Sequence, residues 1–315
     1  MSRYRWVMAA VTGFIMTTSF ISLTSFGILS GQIAQTFHIN SDSVSVLGVD
    51  SFSIGLFAAF FLGNGGFFDT RIRAGVLVSQ IFLIVPQFLI PLSYNLDLLV
   101  ILRFFQGLTI MMLALFSIQL SGWFRPDERA KSLAFTLGAI TLGSAAGGVL
   151  SGILRSFSWE ESYYMTGVVM IAGAAVYFAF AKDAPAQKKL MKNDHGIKHK
   201  SAWKNPMTWI MGIIQLPISW TLFSIGGFLS IYSRHLGYSS ILTEYLIIAW
   251  GISGFFAAFV GAIIGDKLSK EKNSSRGILN SRLKVMTLAD ILMGIGALLM
   301  FLMGSFSYYV LLFAA

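Results

Sequence analysis

Cysteine is absent from this 315-residue chain, and charged residues make up only 12% of it. Without cysteine the protein can form neither disulfides nor thiolate metal sites, and it lacks a thiol nucleophile. His195 and His199 have the i, i+4 spacing of a metal pair, but no third ligand is within reach in the sequence. We find no nucleophile–base pair and no nucleotide-binding loop. The sequence therefore predicts no metal, no cofactor and no enzymatic activity.

The chain is rich in apolar residues. They make up 55% of the chain, and the mean hydropathy is +0.72. A soluble domain with this composition could not fold without exposing a large apolar surface, so we expect an all-α polytopic protein embedded in the lipid bilayer. About 20 helical residues cross a hydrocarbon core about 30 Å thick. The predicted spans are 7–36, 44–68, 74–92, 98–122, 132–154, 162–181, 205–233, 241–265 and 283–303, with a shorter run from 306 onward.

These spans predict a two-repeat helical bundle. Residues 1–181 form a six-helix bundle, 182–204 a basic linker, and 205–315 a partial second bundle with helices seven to nine and the start of a tenth. The last run is too short to cross the hydrocarbon core, so the sequence looks incomplete. Asp69 and Asp266 stand 197 residues apart, and each follows a Phe-Ala-Ala-Phe segment, as expected of two related halves.

Basic residues are distributed very unequally between the two sets of loops. Of the 23 lysines and arginines, 20 lie at the N-terminus, in the linker or in the other loops on the same side of the predicted membrane. Such a bias places the N-terminus and the linker in the cytoplasm of a multi-pass protein of the cytoplasmic membrane. The net charge of +9 is then a signal of topology, and no nucleic-acid partner is expected.

Polar residues inside the spans are candidate sites, because they are costly to bury in lipid. Arg103 and Gln106 are three residues apart in the fourth span and share one helical face. Asp50 lies about two turns inside the second span and is, by depth, the best acid to compensate Arg103. The alternatives are a purely structural role for Arg103 and snorkelling of Asp50 to the membrane surface.

Two glutamines complete the predicted solute pathway. Gln32 continues a polar stripe on the first span, and it either lines an aqueous path or packs against another helix. Gln215 stands beside Pro217, which removes a helical hydrogen bond and predicts a kink in the seventh span.

Several short segments carry a family resemblance. They comprise Gly65, Asp69 and Arg73 between spans two and three, Arg103, Gln106 and Gly107 in span four, Glu128 and Arg129 after it, and Gly143, Gly147 and Gly148 in span five. Together these segments resemble the signature motifs of the major facilitator superfamily. The chain departs from those motifs at Thr70, Ile72 and Ser144, where the family usually has arginine, glycine and proline.

The resemblance implies a cytoplasmic gate. In the closed state Asp69 and Arg73 would pair with Arg129 and Glu128, and Asp266 is the equivalent aspartate of the second half. A simple positive-inside anchor is the alternative for this loop. The glycines of spans four and five are expected to let neighbouring helices pack closely.

The function that follows is secondary active transport. We expect a monomer that moves a small polar or charged solute by alternating access, with protons as a candidate coupling ion. The first alternative is a proton-coupled drug efflux protein. The second is a non-transporting or sensor-like membrane protein, in which the buried polar groups only hold helices together.

Overall fold

The computed structural model describes residues 4–64, 68, 71–125, 128–184, 204, 206–270 and 275–303. Throughout these ranges the regular structure is helical and no strand occurs, which confirms the predicted all-α fold. The helices are α1 (Tyr4–Phe37), α2 (Ser41–Asn64), α3 (Ile72–Leu89), α4 (Leu96–Gly107), α5 (Met111–Trp123), α6 (Arg129–Ile153), α7 (Trp159–Phe180), α8 (Pro206–His235), α9 (Ser240–Lys270) and α10 (Ser275–Met303).

Eight segments in the described part are long and apolar enough to cross a membrane. One of them, Leu96–Trp123, consists of α4 and α5 joined by a 3-10 turn at Leu108–Ile110. Helix α8 is a further long helix of 30 residues. The nine complete predicted spans therefore correspond to observed helices, although α10 begins at Ser275 and not at 283, and the run from 306 onward lies outside the described residues.

Successive membrane-length segments run in alternate directions, so the described helix ends lie at two opposite ends of the bundle. We call the end from which residues 181–184 leave α7 the linker end, and the opposite end the far end. Parallel α1 and α6 illustrate the alternation, because Gly13 lies against Phe135 and Thr24 lies against Gly147. The N-terminal residues of α1 are thus at the linker end, and the α1–α2 connection is at the far end.

Helix α1 is the centre of the first half. It packs against α2, α6, α7 and, in the second half, α8. In its apolar stretch 78% of the residues are buried, against 6% in α10. Thr18, Ser22 and Ser25, which the sequence places on a stripe away from lipid, are at most 3% exposed. The stripe does not form a separate polar face, because protein surrounds α1 on nearly all sides.

Helix α6 joins the halves through its small residues. Gly143 and Gly147 lie against α1, where a methyl group at Gly147 would be 2.7 Å from the carbonyl oxygen of Ile21. Gly148 and Gly152 lie against α9, where a methyl group at Gly148 would be 3.1 Å from Ile247. The two small-xxx-small repeats of the sequence therefore serve two different partner helices.

Candidate transport site

Arg103 is at the centre of the first half and is completely buried. Its Nε donates to the carbonyl oxygen of Gly48 in α2 at 3.3 Å. Its Nη1 donates to the carbonyl oxygen of Ser22 in α1 at 3.3 Å and to Gln106 Oε1 at 2.8 Å. One guanidinium thus links three helices, and every one of these acceptors is neutral.

Two aromatic rings flank the guanidinium. The Cζ atom of Arg103 lies 4.3 Å from the ring centroid of Phe26 and 4.7 Å from that of Phe52, within the range of cation–π attraction. The Nη2 atom is buried and has no hydrogen-bond partner. None of the acidic residues in the described ranges is fully buried. The charge of Arg103 is therefore held without a buried carboxylate from the described chain.

A chain of glutamines extends this site toward α7. Gln106 Nε2 donates to Gln87 Oε1 at 2.7 Å, and Gln87 Nε2 donates to Thr166 Oγ1 at 2.8 Å and to the carbonyl oxygen of Tyr163 at 3.1 Å. The hydroxyl of Tyr163 is buried without a partner. Gln87 was not among the site residues predicted from the sequence, although a glutamine in an otherwise apolar span itself indicates an inward-facing site.

The prediction that Asp50 compensates Arg103 is wrong. Asp50 is exposed on the outer surface of α2, between exposed Leu47 and Ile54. Gly48 is the residue of α2 that faces the guanidinium, and residues two apart on a helix point about 200° apart. Asp50 lies close to the level of Gly48 along α2 but on the other side of the helix.

The remaining pathway residues have different environments. Gln32 is half-buried near the far end of α1, and its Oε1 atom is buried without a partner. The side chain of Gln215 in α8 is outside the described set. Gly107 allows α4 to touch α2, because a methyl group on it would lie 2.8 Å from the Cα atom of Gly55.

At the linker end, the predicted gate residues have partners within the first half. Glu128 forms an ion pair with Arg5 at 2.6 Å. Arg73 Nη2 donates to the carbonyl oxygen of Phe178 at 2.8 Å, and Arg129 Nε donates to that of Phe124 at 3.2 Å. Gly65 and Asp69 lie outside the described residues. Asp266 is half-buried near the end of α9.

A second polar cluster fixes the start of the linker. Gln119 is completely buried; its Oε1 accepts from the hydroxyl of Tyr177 at 3.0 Å and its Nε2 donates to the carbonyl oxygen of Lys182 at 3.4 Å. Trp123 Nε1 donates to the same carbonyl at 3.2 Å. The first residues after α7 are therefore attached to α5.

The two parts of the bundle meet along α1, α2 and α6 on one side and α8 and α9 on the other. Leu23 of α1 lies against Gly226 of α8, and Val49 of α2 lies against Gly227. The bundle of α1–α7, the helices α8–α10 packed against it and a buried polar network beside their junction are the arrangement expected of a membrane transporter.

The sequence profile of the Major Facilitator Superfamily matches residues 9–315, and the chain belongs to this family. Like other members of this family, it is a transporter-type membrane protein and not an enzyme. A hexuronate transporter of Bacillus subtilis (strain 168) is 25% identical over 248 residues, which cover 74% of this chain and 57% of that protein. An uncharacterized transporter of Schizosaccharomyces pombe (strain 972 / ATCC 24843) is 23% identical over 180 residues, covering 48% of this chain and 37% of that protein. The chain thus spans less than two thirds of the length of both relatives.

Solved structures show the same fold. A D-xylose-proton symporter matches with a TM-score of 0.55 at 12% identity, covering 98% of this chain and 79% of that one. A bacterial homolog of the human lysosomal transporter Spinster, inward-facing and occupied, matches with a TM-score of 0.53 at 17% identity, covering 88% and 63%. At these identities the likeness concerns the fold alone.

Proposed function

We propose that the protein is a secondary transporter for a small solute that carries a carboxylate, of the hexuronate class. It works by alternating access in the cytoplasmic membrane, with the linker end in the cytoplasm. The observation that carries this proposal is the buried guanidinium of Arg103, which has only neutral acceptors and an unpartnered Nη2.

The positive charge of Arg103 has to be compensated inside the membrane. An arginine inside a membrane span costs several kcal/mol unless a countercharge or water compensates it. Carbonyl dipoles and two aromatic rings compensate Arg103 in part, and a bound carboxylate would supply the missing negative charge. The name of the Bacillus subtilis relative, a hexuronate transporter, agrees with a sugar acid as the solute.

The position of Arg103 suits such a role. The carbonyl groups of Ser22 and Gly48 face the guanidinium, while the next residues, Leu23 and Val49, contact α8 of the second half. Arg103 is therefore one helix layer from the junction of the halves. A solute that enters when α8 moves away from α1 and α2 would come within reach of its positive potential. The buried amides of Gln87 and Gln106 offer donors and acceptors for hydroxyl groups beside it.

The test is ligand-induced thermal stabilisation of the purified chain. Glucuronate should raise the melting temperature of the parent protein, because a ligand that binds only the native state stabilises it, and glucose should not. Arg103→Met should abolish the response. The two backbone carbonyls keep their helical hydrogen bonds, but Gln106 Oε1 loses its donor, so the variant should lose about 1–3 kcal/mol of stability. Arg103→Lys should weaken the response, because the planar donor fork is lost.

Arg71→Met is the matched control, because Arg71 is exposed at the linker end. It should respond to glucuronate as the parent does. An equal response of Arg103→Met would refute the anion site. Uptake of glucuronate into proteoliposomes, with and without an imposed pH gradient, then tests transport and proton coupling separately.

A further inference from the structure

Arg234, in the last turn of α8, bonds across the junction of the halves at the far end. Its Nη2 donates to the carbonyl oxygen of Gly27 at 2.7 Å and to Ser30 Oγ at 3.0 Å, both in α1. Its Nε donates to the carbonyl oxygen of Ser230 in its own helix at 3.3 Å, which fixes the side chain in this direction. We call the two bonds to α1 the Arg234 bridge.

The surrounding residues allow a very close approach at the bridge. A methyl group on Gly27 would lie 2.5 Å from Ser230 Oγ and 2.7 Å from the carbonyl oxygen of Gly227. One on Gly31 would lie 3.3 Å from Nη1 of Arg234. The backbones of α1 and α8 touch here, so the far end of this junction is closed. It cannot open while the Arg234 bridge is intact.

Both acceptors of the bridge are neutral. A carboxylate can accept two parallel hydrogen bonds from a guanidinium and adds the attraction of opposite charges, which a neutral oxygen lacks, so an anion can displace Gly27 and Ser30. Asp42 is close enough to attract Arg234 through its charge, and Glu244 lines the same small cavity as Arg234. A solute anion has to compete with these two acids for the same cation.

A surface depression at the far end reaches the surroundings of Arg234. It is open to the outside, has a volume of about 580 Å³ and is lined by Gly31, Ala34, Gln35, His38, Ile39 and Ser41. Gly31 belongs both to this depression and to the surroundings of Arg234. Next to it, a cavity of about 40 Å³ between Arg234 and Glu244 is large enough for water, and the buried Ser230 Oγ that lines it has no partner.

We propose that Arg234 is a second anion site, which couples arrival of the solute to opening of the far end. The carboxylate of the solute takes over the hydrogen bonds that Arg234 gives to Gly27 and Ser30, and α8 is then free to move away from α1. The proposal rests on the anionic solute proposed above. It adds the step at which that solute is first recognised, on the other half of the molecule from Arg103.

The chain contains no cysteine, so a single reporter can be introduced at the junction. Val49→Cys is suited to this, because Val49 is 0% exposed, lies against Gly227 and is close to cysteine in size. Labelling of the purified reporter protein by a bulky maleimide measures opening of the junction. The labelling rate is measured without solute, with glucuronate and with glucose. Each measurement is made in Val49→Cys alone and in Val49→Cys combined with Arg234→Gln. His235→Gln is the control, one residue further on and exposed.

Arg234→Gln should raise the solute-free labelling rate about tenfold, the population change that one hydrogen bond to a charged donor supports. Glucuronate should increase labelling in Val49→Cys alone and in the His235→Gln control. It should cause no increase in Arg234→Gln. Unchanged solute-free labelling in Arg234→Gln overturns the proposal, and so does a glucuronate response that survives in this variant. If glucuronate binds in an Arg103-dependent manner but does not change labelling of the reporter, the anion site at Arg234 is refuted while the proposed function stands.

Discussion

Gly55 in α2 and Gly107 in α4 face each other across a helix contact that leaves no room for a side chain. A methyl group on Gly107 would lie 2.8 Å from the Cα atom of Gly55, and one on Gly55 would lie 3.0 Å from that of Gly107. The contact is directly beside the site, because Gly107 follows Gln106 and Arg103 is one helical turn earlier. The close approach of α2 to α4 thus determines where the guanidinium lies.

Gly107→Ala should therefore destabilise the protein by about 1–3 kcal/mol through overpacking, and it should also displace Arg103 from the carbonyl of Gly48. Gly261→Ala is the matched control, because nothing lies within 4 Å of a methyl group built on Gly261. That change should be neutral or stabilising, since alanine favours the helix by up to about 1 kcal/mol. Thermal unfolding of both variants measures the difference. Equal melting temperatures would show that the helices can separate without cost.

The orientation in the membrane can be tested with single cysteines. Tyr94 is 82% exposed at the far end, and Arg71 is exposed at the linker end. We expect an impermeant thiol reagent to label Tyr94→Cys in whole cells, and to label Arg71→Cys only after the cells are opened. Rapid labelling of Arg71→Cys in intact cells would reverse the orientation.

The ion pair between Arg5 and Glu128 distinguishes two roles for the linker end. Its side chains are 20% and 27% exposed, and a pair in such a position contributes about 0–1 kcal/mol to stability. A double-mutant cycle of Arg5→Gln and Glu128→Gln should give a coupling energy in that range. A larger coupling of Glu128 with Arg73 would show that the predicted gate forms in solution in place of the contact seen here.

Asp50→Asn should leave glucuronate binding and the role of Arg103 unchanged. Asp50 lies on the exposed side of α2, whereas the residues that surround Arg103 lie on the opposite side. Because an exposed acid in an apolar span is costly, the melting temperature should stay the same or rise. The thermal assay proposed for Arg103 measures both effects. Loss of glucuronate binding in Asp50→Asn would show that the two residues act together after all.

The sequence alone was sufficient for the helical fold and the family. Long apolar runs and asymmetric charge are properties of single segments, so they can be recognised without knowing how the helices pack. The site is different, because it depends on the rotation of each helix about its axis. Arg103 and Gln106 were found from their spacing, but Gln87 joins them from another span. Asp50 was misplaced because depth along a helix does not determine which side faces the interior.

The glycines of α6 show the same limit. The sequence contains two repeats of small residues, and each predicts a close helix contact. The repeats do not show which helix each glycine contacts. Gly143 and Gly147 contact α1, whereas Gly148 contacts α9. That division could not be predicted from α6, because it depends on the surfaces of two other helices far away in the chain.

Helix α1 has a consequence for the order of synthesis. It is made before its main partner α6, with three further spans between the two. During this interval its many hydroxyl groups face lipid, where an unsatisfied polar group is costly. Several of them bond to their own backbone, as Thr12 does to Ala9, Thr18 to Ile15 and Ser30 to Gly27. A nascent α1 can thus remain in the bilayer with part of its hydroxyl groups bonded within the helix, while others, such as Thr17 and Thr24, gain their acceptors only when α6 arrives.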